Sequence, residues 1–201
     1  MSGSNWSDLG PRIISGLVLA GVGLVSVMFG GMVFSLFVAI CCGLMIWELG
    51  QLSSRYGILA YPLAALAMFG IFFGFGKGWL FYILLIGILP AITAAVATKQ
   101  HWRVFSFAAM IGTTGLVLQL LRIELGLAWL LWLVLVVVAT DIAGYFAGRL
   151  IGGPKFWPSL SPKKTWSGTV AGWIASGIVG FLFGAAFAGP FILFSIAVSV
   201  A

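Results

Sequence analysis

Residues 128–149 read AWLLWLVLVVVATDIAGYFAGR. From Ala128 to Thr140 no side chain carries charge; then come one acid, Asp141, and one base, Arg149. A strand of ordinary length is exhausted in half this run. As a helix it extends about 33 Å, enough to cross a hydrocarbon core of about 30 Å. Lipid offers backbone groups no hydrogen bonds, so a segment there satisfies its own, as a helix does. The run predicts a transmembrane helix with a carboxylate near one end.

The rest of the chain has the same character. Of 201 residues, 62% are hydrophobic and 7% charged, with a formal net charge of +6. Soluble domains carry about 25% charged residues, so this composition cannot cover a water-facing surface. The apolar runs are continuous, which excludes the alternating pattern of a membrane β-barrel. Spans are predicted at 13–30, 32–49, 58–76, 79–97, 104–121, 126–148 and 169–188. Gly30-Gly31 forms the first turn, and Arg55, Lys77, Lys99–Arg103 and Arg122–Glu124 mark later breaks. The expected fold is an all-α polytopic helix bundle: one transmembrane domain over 1–201, with seven full spans and an incomplete eighth. That eighth follows from residues 190–201, which reach only about 18 Å as a helix. The expectation is a C-terminally truncated chain.

Loop charge sets the orientation. Arg12, Arg55, Lys99, Arg103, Arg149, Lys155, Lys163 and Lys164 fall on one side, and Lys77 and Arg122 on the other. Basic residues are retained in the cytoplasm, so the N-terminus and the 149–168 loop are expected there, in a bacterial inner membrane. The N-terminus MSGSNWSDLGPR lacks the basic start of a secretory signal. The positive charge follows topology and does not form a nucleic-acid patch. Cys41 and Cys42 are adjacent within an apolar run and read as small core residues.

Asp141 is the sharpest chemical signal, since an acid in a membrane helix costs about 2.5–3.5 kcal/mol on insertion scales. Gly144, Tyr145 and Gly148 share or border its face. Asp141 is expected to hold a metal or a cationic group, or else to make a structural pair between helices. Glu48, in MIWELGQL, lies nearer the interface and reads as an exposed acid.

Residues 155–169 read KFWPSLSPKKTWSGT. Ser161-Pro162 predicts a helix start, serine as N-cap and proline first in the helix. Free backbone N–H groups there, with Lys163, Lys164, Thr165 and Ser167, predict a phosphate-binding helix start at the membrane surface. Simple anchoring to lipid headgroups is the alternative. Gly168, Gly172, Ser176, Gly180, Gly184 and Ala188 recur every four residues, a small-residue ridge for close helix packing, here against the Asp141 helix. There is no P-loop and no H-E-x-x-H. His101, the single histidine, reads as solvated in a basic loop.

The stretch DIAGYFAGRLIGGPKFWPSLSPKKTWSGTVAG, 141–172, resembles the phosphatidate cytidylyltransferase family. That family has a D-x-x-A-Y-x-x-G-R-like segment, then S-P-x-K-T-W-x-G and a glycine-rich helix. The matching positions are Asp141, Tyr145, Gly148, Arg149, Ser161, Pro162, Lys164, Thr165, Trp166 and Gly168. Trp47–Leu49 is also similar to the family's second span. The resemblance implies a multi-pass membrane enzyme that converts CTP and phosphatidate to CDP-diacylglycerol and pyrophosphate with Mg²⁺. Lys163, Lys164, Ser161 and Arg149 would hold phosphates, Thr165 and Ser167 would donate hydrogen bonds, and Asp141 and Lys164 would be catalytic, Asp141 also touching the metal. Many members have glutamate where Ser167 stands, and the chain stops before the family's C-terminal H-G-G element and aspartates. The expectation is therefore weak or no catalysis by this chain. A non-catalytic binder of anionic phospholipid headgroups, or a small transporter using Asp141, are the alternatives, and a homodimer is left open.

Overall fold

A computed structural model describes residues 9–53, 57–74, 88–95, 97, 100–157, 161–187 and 191–200. The helices are α1 (Leu9–Phe29), α2 (Gly31–Ser53), α3 (Ala60–Phe73, entered by a 3₁₀ turn at Gly57–Leu59), α4 (88–95), α5 (His101–Leu120), α6 (Leu127–Leu150), α7 (Trp166–Phe187) and α8 (Phe191–Val200). Among the described residues, four helices are long and apolar enough to cross a membrane: Gly31–Ser53, His101–Leu125, Leu127–Leu150 and Trp166–Ala185. The predicted breaks at Arg55, Lys77 and Lys99 lie outside the described residues, as does much of the predicted span 79–97. The chain divides into two compact units, Met1–Leu127 and Ala128–Ala201.

The first unit is built on α2. Its buried residues Phe34, Val38, Cys42, Ile46 and Gly50 recur every four positions, a stripe facing α3 and α5. Small residues let those helices approach. Gly50 faces Ala60, and Gly115 of α5 faces the sulfur of Cys42. Cys42 is thus the small core residue expected, with its thiol toward the carbonyl of Ile111. At the first turn, Gly30 and Gly31 have φ of 65° and 51°, a region open mainly to glycine. Arg122 wraps this turn, its Nε donating to the carbonyl of Val27 at 3.2 Å. That cation meets the free carbonyls at the end of α1.

Gln119 is the main buried polar group of this unit. Its amide nitrogen donates to the Ser35 hydroxyl at 3.3 Å and to the Ile71 carbonyl at 3.1 Å, joining α2, α3 and α5. Interhelical hydrogen bonds in membranes contribute about 0.6 kcal/mol each. Gln119→Ala removes at least these two and leaves a void, so a loss of about 1–2 kcal/mol or more is expected in a denaturant titration of the bilayer-reconstituted protein.

The second unit is built on α6 and α7. Trp132 and Val136 pack with Leu133, Val179, Phe183 and Val198. Trp132 Nε1 donates to the Ser195 hydroxyl at 2.8 Å and Thr140 to Ser199 at 3.3 Å, so α8 is bonded along α6. The segment predicted as an incomplete span is a ten-residue helix docked into this core. The first two members of the predicted ridge on α7, Gly168 and Gly172, meet α6. A Cβ on Gly168 would stand 2.6 Å from the Gly144 carbonyl oxygen, so the two backbones touch there.

The 155–165 segment differs from expectation. Lys155–Trp157 (β1) and Ser161–Thr165 (β2) pair antiparallel, Lys155 opposite Thr165 and Trp157 opposite Ser161, with an irregular register between. This hairpin adds a small β element to an otherwise helical fold. Helix α7 begins at Trp166 and not near Lys163. The N-cap is Thr165, whose hydroxyl accepts the Gly168 N–H at 3.3 Å. A start at Ser161 would have put Lys163 and Lys164 in the first turn, against the positive end of the helix dipole. Strand pairing satisfies the same backbone groups without that repulsion.

Candidate functional site

The second unit contains a cavity of about 630 Å³ bounded by α6, the hairpin and the start of α7. Helical spacing aligns Asp141, Tyr145 and Arg149 along one side of α6, each four residues from the next. The hairpin contributes Phe156 and Lys164, and α7 contributes Thr165, Thr169 and Trp173. The floor is Thr140 with Ser199 of α8, a hydroxyl pair.

Glycine makes this space. Gly144 and Gly148 on α6, and Gly168 and Gly172 on α7, all line it. A Cβ on Gly148 would lie 2.9 Å from the Thr165 hydroxyl, and one on Gly172 3.0 Å from the Thr140 methyl. The small-residue ridge therefore does two things: it lets α6 and α7 touch, and it leaves room beside the contact.

Of the residues singled out from sequence, Asp141, Arg149, Lys164 and Thr165 come together at the cavity. Asp141, Arg149 and Lys164 are all exposed. Among the described residues, no ion pair reaches the Asp141 carboxylate, and no group of three or more His, Cys, Asp and Glu side chains could hold a metal. Among the described lining residues, Asp141 is the one carboxylate. Ser167 lies at the first turn of α7, where its hydroxyl donates to the Gly152 carbonyl and stands 3.1 Å from the Thr165 hydroxyl. Its proton thus fastens the loop after α6, where Gly152 and Gly153 turn with φ of 66° and 103°. Ser161 sits in β2 opposite Trp157, and the side chain of Lys163 lies outside the described residues.

The backbone donors at the helix start are partly occupied. The Trp166 N–H donates to the Pro154 carbonyl at 3.1 Å, and the Gly168 N–H goes to Thr165. Among the described residues, the cationic side chains lining the cavity are Arg149 and Lys164. Phe156 is held edge-on against Trp166, ring centres 4.6 Å apart, which braces the hairpin on α7. Sequence reasoning did not find Phe156, Trp173, Thr140 or Ser199. Phe156 comes to the cavity with the hairpin and Ser199 with the docking of α8, which no local pattern records, while Thr140 and Trp173 stand on α6 and α7 next to Asp141 and Gly172. Glu48 is exposed on α2, as expected, and His101 donates from Nδ1 to the Ala94 carbonyl at 2.7 Å, linking α4 to α5.

A sequence model of the cytidylyltransferase family matches residues 10–201. The chain is 37% identical over 195 residues to a phosphatidate cytidylyltransferase of Brucella suis biovar 1, covering 92% of this chain and 70% of that protein. It is 50% identical over 54 residues to a phosphatidate cytidylyltransferase of Staphylococcus saprophyticus, covering 27% of this chain and 21% of that one. A phosphatidate cytidylyltransferase of Haemophilus influenzae matches at 36% over 86 residues, 39% of this chain and 30% of that one. No solved structure matches.

Proposed function

The chain belongs to the cytidylyltransferase family, and from that premise we propose how its cavity serves the transfer of a cytidylyl group from CTP to phosphatidate. The reaction is nucleotidyl transfer in a multi-pass membrane protein: the lipid phosphate oxygen bonds to the α-phosphorus of CTP, the bond to the β-phosphate oxygen breaks, and pyrophosphate leaves. The products are CDP-diacylglycerol and pyrophosphate.

The observation that carries the site assignment is the convergence of Arg149 and Lys164 on a cavity that also holds Asp141. Both substrates are anions and repel each other, so the first task is to offset their charge and align them. Arg149 offers a planar fork suited to phosphate oxygens, and Lys164 a mobile point charge. Thr165 and Thr169 line the cavity beside them, but their hydroxyls are engaged in the first turn of α7, Thr169 donating to the Thr165 carbonyl at 3.1 Å and Thr165 capping Gly168, so the charge is met by the two cations. The apolar faces of α6 and α7 keep the lipid's tails in the bilayer while its phosphate meets the cavity.

The donor set suits Mg²⁺ held mainly by substrate. Mg²⁺ sites of this kind use one or two carboxylates plus substrate phosphates and water, and Asp141 supplies one carboxylate. When bound, the ion offsets charge on the phosphates. The further arrangement supported by the sequence is seven full spans in the bacterial inner membrane, with the N-terminus and the 149–168 loop in the cytoplasm. The charge distribution supports it, and it puts the cavity where CTP is found.

The test uses the protein in phosphatidate-containing nanodiscs, with CTP and Mg²⁺, and follows both pyrophosphate and lipid-linked cytidine. Lys164→Ala is expected to weaken CTP or phosphatidate binding about tenfold, the worth of one charge-assisted hydrogen bond at roughly 1.5 kcal/mol. Unchanged affinity for both ligands removes Lys164 from the site. Binding of phosphatidate without CTP identifies a lipid binder instead.

A further inference from the structure

We propose that Tyr145 is a positioning residue that holds Arg149 in readiness for a phosphate group and keeps it from Asp141. The inference rests on the functional reading above and adds a residue to it.

Arg149 and Asp141 carry opposite charges on the same side of α6, two turns and about 12 Å apart. Helical side chains lean toward the N-terminus, so Arg149 leans back along α6 in the direction of Asp141. Tyr145 stands between them, four residues from each, and intercepts it. Arg149 Nη1 donates to the Tyr145 hydroxyl at 2.7 Å, and the guanidinium carbon lies 6.0 Å from the centre of the phenol ring. One guanidinium N–H is engaged by this bond, and among the described residues the remaining four meet no protein acceptor and are open to a ligand. The phenol oxygen receives that bond, which leaves its own proton to donate.

Two consequences follow. An arginine already fixed in direction loses less rotamer freedom when it grips an anion, so affinity rises without any new contact. Held by the phenol, it also does not neutralise Asp141, and the carboxylate stays available. The ligand group is a phosphate oxygen, carried either by the nucleotide or by the lipid.

The experiment is a double-mutant cycle on the reconstituted protein. Tyr145→Phe, Arg149→Gln and the double variant are compared with wild type in two arms. One titrates CTP with Mg²⁺ into nanodiscs free of phosphatidate; the other measures binding of labelled phosphatidate without nucleotide. Phenylalanine keeps the ring, including its edge-on contact with Phe146, so the helix is not disturbed. Tyr145→Phe is expected to weaken phosphate binding about tenfold in at least one arm, a loss that identifies whose phosphate Arg149 holds. In the Arg149→Gln background the same change is expected to cost less than about twofold, because the two residues act together. Equal affinity of wild type and Tyr145→Phe in both arms overturns the inference alone. So does a tenfold loss that persists without Arg149. A wild-type protein that binds neither ligand overturns the functional reading, and this inference with it.

Discussion

Gly168→Val is expected to separate α6 from α7 and to abolish binding of both substrates. A Cβ at position 168 would lie 2.6 Å from the Gly144 carbonyl oxygen and 3.3 Å from the Thr165 hydroxyl. Real Cβ atoms do not approach a backbone oxygen that closely, and neither neighbour is a flexible side-chain tip. The helices must part, and the Thr165 cap on the Gly168 N–H must break with them. Overpacking costs about 1–3 kcal/mol and sometimes more, and a lost N-cap adds about 1. A loss of about 3 kcal/mol or more is therefore expected in denaturant titration, accompanied by loss of CTP and phosphatidate affinity. Gly112→Ala supplies the control. It is also a buried helical glycine, but a Cβ there meets nothing within 4 Å. It is expected to be neutral or to stabilise by about 0.5–1 kcal/mol, the ordinary helix preference of alanine over glycine. If Gly168→Ala proves as harmless as Gly112→Ala, the backbone contact at Gly144 is not present in the membrane.

That contact was legible in the sequence because small residues every four positions have one common use in a membrane helix. The long apolar helices were legible for the same reason: only a helix satisfies backbone groups in lipid, so an uncharged run has one outcome. The hairpin was not. Ser161-Pro162 carries the local chemistry of a helix start, and Thr165 carries nearly the same chemistry four residues later. What separates them is non-local: β1 lies close enough to pair with residues 161–165, and two lysines repel the helix's positive end. Likewise Ser195 and Ser199 look like scattered polar residues in FILFSIAVSV. Their roles depend on Trp132 and Thr140, which are more than fifty residues away. The charged triad of the site was half visible. Asp141, Arg149 and Lys164 stood out by residue type, while the Tyr145 phenol that accepts from Arg149 gave only its spacing.

Asp141→Asn is expected to leave the fold intact while lowering turnover about 100-fold or more, a barrier increase of about 2.7 kcal/mol. The two halves of this expectation have separate physical causes. A carboxylate at the centre of a membrane helix is unfavourable by about 2.5–3.5 kcal/mol and less toward its end, where Asp141 stands, and an amide of the same shape is cheaper to insert. Among the described residues Asp141 makes no ion pair, and Thr140, its neighbour on α6, makes the bond to α8 instead. Replacing the charge therefore removes a cost and breaks no contact, so thermal or denaturant stability should hold or rise. If Asp141 had a structural pair, the same change would lower stability and spare affinity for CTP. A second readout comes from the metal. Wild-type affinity for CTP should rise with added Mg²⁺, and Asp141→Asn should lose that rise while keeping the metal-free affinity supplied by Arg149 and Lys164. A variant that retains both full turnover and the Mg²⁺ response shows that the carboxylate serves neither metal nor substrate. An acid that makes no ion pair among the described residues, kept in a membrane helix against that insertion cost, serves something other than folding.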